Sequence, residues 1–386
     1  MKIRFHKPYI PKKIDNILPN SIQNGWLTSG PVVKIFEKEL CKTFKSRNVI
    51  AVNSCTAALH LALVAKKFKP GDKFIVPTYT FIASVEVGEY LGMEPILVDC
   101  EKDSFSMDLD KVENLLINQR GIVAIVPVHF GGLAVDTLRL KYLANKYKVF
   151  VLEDAAHAIE TYSEEKKIGD TNHAAAFSFY ANKNITTGGE GGALSTNDDD
   201  LAKIVRKLSL HGMSKSGWNR YSYGGGWKYD VSELGYKYNL TDISASLGLD
   251  QLNQLTKWQS RRNEIVKSYE LGLKNIKGII IPSIPNSGVH AWHLYIIRIK
   301  TEKWKIGRDL IINKLDEVGI GTSVHYLPVH MHSYYSKKYG WRPEDFPLSY
   351  ELSKKVISLP IYPLLKDDEI KYIIDNINNL WLKHKI

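Results

Sequence analysis

The feature that most constrains this chain is a regular alternation of short apolar runs with helical patterns between residues 49 and 152. Residues 49–52, 74–76, 95–99, 122–126 and 149–152 are rich in Val, Ile, Leu and Phe and read as strands. Residues 56–66, 81–91, 109–116 and 137–147 between them read as helices. A further helix precedes the first strand, where Val33, Phe36, Leu40 and Phe44 recur at helical spacing. Strands that are apolar throughout and alternate with helices imply a parallel sheet covered on both faces. In such a sheet a ligand sits beyond the carboxyl ends of the strands. Four polar motifs fall there: Asn53-Ser54-Cys55-Thr56, Pro77-Thr78-Tyr79-Thr80-Phe81, His129-Phe130-Gly131-Gly132 and Glu153-Asp154-Ala155-Ala156-His157.

A long helical pattern over 240–273 leaves this region. Beyond it, 292–299 reads as a strand, 305–318 as a helix and 367–381 as a terminal amphipathic helix. The expected organisation is therefore a large domain over 1–250, with residues 1–30 as an arm and a short helix, and a smaller α+β domain over 251–386. Hydrophobic residues make up 44% and charged residues 24% of the 386, which argues against disorder. The formal charge of +11 favours anionic partners (nucleic acid, phosphorylated small molecules or acidic lipid heads) and fits a solvated basic surface equally well. No helix-turn-helix, zinc-finger or RNP-like motif is present, so nucleic acid is not expected as a partner. No apolar run approaches the roughly 18 residues of a membrane span, and the first residues lack the apolar core of a secretion signal. The three cysteines, Cys41, Cys55 and Cys100, show no paired spacing, so neither a disulfide framework nor a zinc site is expected, and a reducing cytoplasmic setting fits.

Several residues carry candidate chemistry. Lys183 follows a strand over 174–177 and precedes the cluster Gly188-Gly189-Glu190-Gly191-Gly192. A lysine that attacks a carbonyl must lose its proton near neutral pH, which burial can bring about. The glycines would let backbone pass close to a ligand. The same residues also fit an exposed lysine in a Gly-rich turn. Asp154, at a strand end, suits a carboxylate that pairs with a protonated ring nitrogen, or a helix N-cap. Thr56 stands at the head of a helix, where free amides hold phosphate, and Ser178 offers a hydroxyl to the same group. Phe81 suits stacking on a flat ring, or plain core packing. Asn239 is a candidate hydrogen-bonder, and Asp242 a candidate cap for the long helix. His325, Tyr326, His330 and His332 share a loop; without a third ligand at suitable spacing, substrate contact or loop packing is expected there rather than metal.

Taken in order, NSCTAAL, PTYTF, EDAAHA, FSFYANKNITTGGEGG, GYKYNLTD and HYLPVH resemble the DegT/DnrJ/EryC1/StrS family of nucleotide-sugar aminotransferases, which depend on pyridoxal 5′-phosphate (PLP). The resemblance runs from Trp26 to Pro360. It implies the aspartate-aminotransferase-like α/β fold (PLP fold type I) and a homodimer whose subunits share their sites. By that resemblance Lys183 is the Schiff-base lysine and Asp154 the partner of the pyridine nitrogen. Cys55 and Thr56 match a Gly-Thr pair at the phosphate, joined by Ser178, and Phe81 is the aromatic stacked on the ring. His157 stands beside the ring hydroxyl. Asn239 reaches the phosphate in the neighbouring subunit. Cys55 departs from the usual Gly, although its amide is retained. The implied reaction takes an amino group from glutamate, cycles PLP through pyridoxamine phosphate, and delivers the group to a nucleotide-diphosphate-linked 4-keto-6-deoxy sugar destined for a surface polysaccharide such as O-antigen, or for another glycan. Lys183 favours this over keto-sugar dehydration, in which some relatives carry His instead; a keto-inositol acceptor stays open. Lys215, Arg220 and the nearby Lys228 are candidates for the diphosphate, with a solvated loop as the alternative, and His325 and Tyr326 for the sugar.

Overall fold

The computed structural model describes residues 1–11, 20–23, 25–102, 104–214, 228–285 and 287–386. Its helices are α1 (Asn20–Gln23), α2 (Pro31–Phe44), α3 (Cys55–Ala65), α4 (Ala83–Glu89), α5 (Leu109–Asn118), α6 (Thr137–Tyr147), α7 (Asp199–Leu208), α8 (Asp242–Leu273), α9 (Arg308–Glu317), α10 (Ser333–Tyr339), α11 (Pro347–Ser353) and α12 (Asp367–His384). Its strands are β1 (Asn48–Val52), β2 (Lys73–Pro77), β3 (Glu94–Val98), β4 (Ile122–Ile125), β5 (Phe150–Asp154), β6 (Tyr162–Ser163), β7 (Lys166–Lys167), β8 (Ala174–Ser178), β9 (Gly192–Thr196), β10 (Ile279–Ile280), β11 (Tyr295–Ile299) and β12 (Val356–Leu359).

Seven strands form the main sheet in the order β1-β9-β8-β5-β4-β2-β3. The expected parallel pairing holds for β3, β2, β4, β5 and β8. β9 is different: it runs antiparallel to both its neighbours, β1 and β8. Its sequence, Gly-Ala-Leu-Ser-Thr, has no β-branched apolar run to announce a strand, so it carries no local strand signal. All five of its residues are nevertheless buried.

Helices cover both faces. The predicted stripe of α2 is buried throughout: Val33, Phe36, Leu40 and Phe44 pack against Ala175, Phe177 and Phe179. The Phe44 and Phe177 rings stack at 3.9 Å. On the other face, α3 is apolar nearly all round because it lies between the sheet and helices α4 and α7. Its alanines keep it thin enough to sit close to β8 and β9. Gly192 shows how close: a Cβ added there would lie 2.6 Å from the Ser54 carbonyl oxygen.

α8 spans 32 residues, about 48 Å at 1.5 Å per residue. Thr241 is its cap, accepting from the Ser244 amide at 3.2 Å. Asp242 does not cap its own helix. Its carboxylate takes the amides of Gly30 (2.8 Å), Val32 (3.2 Å) and Val33 (3.0 Å) at the head of α2. The early part of α8 packs on α2, and its later turns pack on α12. There, Ile265, Tyr269 and Leu273 join Ile297, Leu315 and Ile373 in a second core under the antiparallel sheet β10-β11-β12. The N-terminal Ile3 belongs to this core and bridges to Ile320. Residue 250 falls inside α8, and we propose that the division into two domains runs along this helix. The strand expected from 292 starts at Tyr295, because Trp292 has φ +46°, outside the extended region.

Candidate active site

The carboxyl ends of β1, β2, β4, β5 and β8 converge on a cavity of about 480 Å³. Ser54, Cys55 and Thr56 line it from the head of α3, Phe81 from the turn after β2, and Val128 from beyond β4. Asp154, His157, Ser178 and Lys183 come from the ends of β5 and β8, and His293, His325 and Tyr326 from the second half of the chain.

Lys183 sits on a loop with a defined internal structure. The Lys183 amide donates to Tyr180 O at 3.0 Å, and the Ala181 amide to Gly189 O at 2.9 Å. The Thr186 hydroxyl donates to Phe179 O and accepts from the amides of Gly188 and Gly189. Gly188 and Gly189 have φ +96° and +126°, conformations that glycine alone adopts readily. The glycines therefore serve the turn and, at Gly192, the approach of β9 to α3. The lysine is partly buried, and burial lowers its pKa from the usual 10.5 to about 8, with Cys55 and Asp154 pulling the other way. No hydrogen bond or ion pair holds its ammonium among the described residues.

Asp154 ends β5 and is buried. One carboxylate oxygen accepts from the Ser84 hydroxyl at 2.6 Å, which in turn accepts from Thr80 at 3.0 Å. The other accepts from the Ala156 amide at 3.1 Å, with the Cys55 thiol at 4.0 Å. The carboxylate is thus aimed by donors on two sides. Ser54 caps α3 by accepting from the Ala57 amide at 3.0 Å, so the amides of Cys55 and Thr56 face the cavity end of an 11-residue helix. The Ser178 hydroxyl accepts from the Tyr180 amide at 3.3 Å and keeps its proton to donate. Phe81 is 56% exposed.

His157 is buried; its Nδ1 accepts from the Gly131 amide at 3.1 Å. A nitrogen that accepts carries no proton, so the neutral ring has its proton on Nε2, which lies 3.2 Å from the Tyr326 hydroxyl. Burial, then Lys183 and His325, hold the His157 pKa well below its ordinary value. His325 is bonded through Nδ1 to the Ser358 hydroxyl at 2.8 Å, and burial lowers its pKa to about 4. Asn239 does not line this cavity. It lines a separate cleft of about 590 Å³ with Ser29, Lys34 and Arg206, and its amide is bonded to the Ser29 hydroxyl at 2.7 Å. Lys215 and Arg220 lie outside the described residues, whereas Lys228 lies within them. His330 is turned away from the site, with its Nδ1 2.7 Å from the Thr78 hydroxyl. Among the described residues no cluster of His, Cys, Asp and Glu has the arrangement of a metal site.

Sequence reasoning missed Ser84, Tyr180, Asn182 and His293. Ser84 lies in a helix of small residues and His293 in an apolar run, and neither has a local signal.

Comparison of the whole chain with known proteins identifies its family. The sequence profile of the DegT/DnrJ/EryC1/StrS aminotransferase family matches residues 8–378. The chain belongs to this family. Spore coat polysaccharide biosynthesis protein SpsC of Bacillus subtilis (strain 168) is 42% identical over 374 residues, 97% of this chain and 95% of SpsC. Spr1654 of Streptococcus pneumoniae, designated a sugar aminotransferase and solved in a PMP form, is 31% identical with a TM-score of 0.91, covering 99% of this chain and 100% of that one. S. venezuelae DesV is 30% identical with a TM-score of 0.86, covering 95% and 94%. The protein is a PLP-dependent sugar aminotransferase with the type I fold of these relatives. The residues present fit that cofactor: a buried carboxylate already supplied with donors, a partly neutral amine without a partner, and two amides at a helix head. No helix among the described residues is long and apolar enough to cross a membrane.

Proposed function

We propose that the protein transfers an amino group from glutamate to the ketone of a nucleotide-linked 4-keto-6-deoxy sugar, with Lys183 as the residue that binds PLP and carries the proton. The observation that carries this reading is the Lys183 amine, unpartnered and with its pKa lowered to about 8, in one cavity with the aimed carboxylate of Asp154. When bound, PLP supplies an electron sink that delocalises charge from the carbon next to the transferred nitrogen. Asp154, fixed by Ser84 and Ala156, would accept the ring N–H and keep that nitrogen protonated. Cys55 and Thr56 would hold the phosphate through their amides, aided by the helix dipole and the Ser178 hydroxyl. Phe81 would cover one face of the ring, and the His157–Tyr326 pair would flank it. Lys183, with a pKa near neutrality, can both take a proton from one carbon and return it to another.

Asn239, turned to a separate cleft, fits a homodimer in which it serves the neighbouring subunit's phosphate. His325 and Tyr326 at the cavity wall are the described candidates for the sugar. A net charge of +11 suits a diphosphate-bearing substrate, and SpsC, named for spore coat polysaccharide, supports a role in building a surface glycan.

The test is spectroscopic. Wild type and Lys183→Ala are loaded with PLP, and glutamate is then added. The wild type should show a visible band that glutamate bleaches, and the variant should lack it. A wild type without the band, or a variant that keeps it, sinks the assignment of Lys183. Nucleotide 4-keto-6-deoxy sugars bearing dTDP, UDP or GDP are then screened for restoring the bleached band.

A further inference from the structure

The residues ahead of β11 are held more firmly than a connecting segment requires. Gln259 Nε2 donates to the His290 carbonyl at 2.9 Å, Asn184 Nδ2 to the Ala291 carbonyl at 2.9 Å, and Arg262 Nη1 to the Trp292 carbonyl at 2.8 Å. Three consecutive carbonyls thus each receive a side-chain donor. The amides are engaged as well: Ala291 donates to Gly132 O, Leu294 to Gly131 O, and Trp292 to His290 Nδ1. Trp292, a bulky residue, sits at φ +46° in the middle of this grip. Backbone strain persists where the surroundings over-determine it, and such places cluster at functional sites.

What the segment presents is the ring of His293. The ring is 6% exposed and lines the cavity with Lys183. Its Nδ1 lies 3.1 Å from Asn184 Oδ1. The Asn184 amide cannot be flipped without losing its bond to the Ala291 carbonyl, so the atom facing His293 is the oxygen. An oxygen only accepts here; Nδ1 therefore carries the proton and Nε2 a lone pair. That Nε2 has no partner among the described residues. Face to face with His293, at 4.2 Å between ring centroids and 29° between planes, lies His157. Burial, His157 and Lys183 all disfavour a charge on His293, which stays neutral.

Carrying a proton makes Lys183 an ammonium for part of each turnover, and an ammonium in a buried cavity needs an acceptor. The groups coupled electrostatically to Lys183 are Cys55, Asp154, His157, His325, His293 and, from the N-terminal arm, His6, and Tyr180, Glu190 and Tyr326 also line its cavity. Arg262 faces His6 and His293 from α8. Asp154 is engaged by Ser84 and Ala156 and is assigned to the ring nitrogen, His157 turns its lone pair to Gly131, and Cys55 lies against Asp154. His6 Nε2 is unpartnered as well, and His325 and Glu190 line the cavity, but His293 is the one whose tautomer is fixed by Asn184, the neighbour of Lys183.

We propose that His293 is a positioning residue: a neutral imidazole, locked in one tautomer by Asn184, that offers Nε2 to the Lys183 amine and fixes where that amine rests while protonated. This rests on the reading of Lys183 as the proton-carrying lysine. It also accounts for Asn184, the immediate neighbour of Lys183 in sequence, which ties the lysine loop to the segment that bears the acceptor.

The experiment titrates Lys183 in the full-length, cofactor-free protein by its carbamylation with cyanate, followed at the Lys183 peptide by mass spectrometry from pH 6 to 11. His293→Phe should move the midpoint down by about one to two pH units, the size expected when a protonated group loses one hydrogen bond. His293→Gln, which can offer an amide oxygen, should restore most of the shift, and Asn184→Ala should move it in the same direction by less. If His293→Phe does not fold, Asn184→Ala and His293→Gln decide: a midpoint unmoved by freeing the ring overturns the proposal. An unchanged midpoint in folded His293→Phe also overturns it, as does an upward shift, which would mean that His293 is a cation beside the lysine. A PLP-loaded Lys183→Ala that keeps the visible band instead overturns the parent reading, whatever the titration gives.

Discussion

Replacing Lys183 with methionine should stabilise the cofactor-free protein at neutral pH. The stem is nearly preserved, and only the charge is removed. The pKa of Lys183 falls from 10.5 to about 8 in the folded chain. A shift of 2.5 units corresponds to about 3 kcal/mol at 1.36 kcal/mol per unit. The cavity is open to water, which screens the charge, so about 1–3 kcal/mol is the expected range. The sign follows from proton linkage. Below pH 8 both the folded and the unfolded chain hold the proton, and the folded state bears the full penalty of burying it. Between pH 8 and 10.5 the unfolded chain binds more protons than the folded one, so wild-type stability rises with pH. Above 10.5 both are neutral and the penalty is gone. Thermal midpoints of cofactor-free wild type and Lys183→Met, compared at pH 7 and pH 10.5, should show the variant higher at pH 7 and the gap closing at the higher pH. A variant less stable than wild type at pH 7, or a gap that does not close, would refute the claim that burial depresses this amine. The same 2.5 units raise the neutral fraction of the amine at pH 7 by roughly 300-fold, which links the strain to reactivity.

Three further outcomes are expected. Ser84→Ala removes the 2.6 Å donor to Asp154 and should lower the stability of the cofactor-free protein by about 1–3 kcal/mol, and by less with PLP bound, when the ring nitrogen takes up the carboxylate; thermal unfolding with and without PLP measures both. Gly192→Ala drives a methyl group into the Ser54–Cys55 backbone, which cannot rotate away, and should destabilise the protein by about 1–3 kcal/mol and weaken PLP binding by displacing the head of α3, as read by a PLP titration. Asp242→Ala strips three amides of α2 of one buried acceptor and should cost about 2 kcal/mol or more, seen as a lower thermal midpoint.

The alternating strands and helices were legible because each strand of a parallel sheet is covered on both faces and so is apolar along its length. The residues singled out at strand ends, from Cys55 and Phe81 to Asp154, Ser178 and Lys183, line one cavity because the topology brings those ends together. What escaped the sequence was long-range. Ser84 meets Asp154 across 70 residues, and Asp242 meets the head of α2 across about 210. His293 meets Asn184 across 109. Such contacts are set by how helices and segments pack after the local pattern has formed, and an acid at a helix start looks alike whether it caps that helix or another. β9 escaped for a different reason: its small residues suit a tight approach to α3 and carry little strand propensity.

The reversed direction of β9 has a consequence for how this chemistry is built. Two parallel neighbours would need a crossover of a dozen or more residues, usually a helix on a face of the sheet. Because β9 returns beside β8, residues 179–191 form a compact hairpin-like bend at the sheet's edge of action, and Lys183 is an ornament on that bend rather than a pillar of the core. The pairing of β8 with β9 therefore does not depend on the side chain at position 183, even though its buried charge weighs on stability. A change of side chain there leaves every strand its partner.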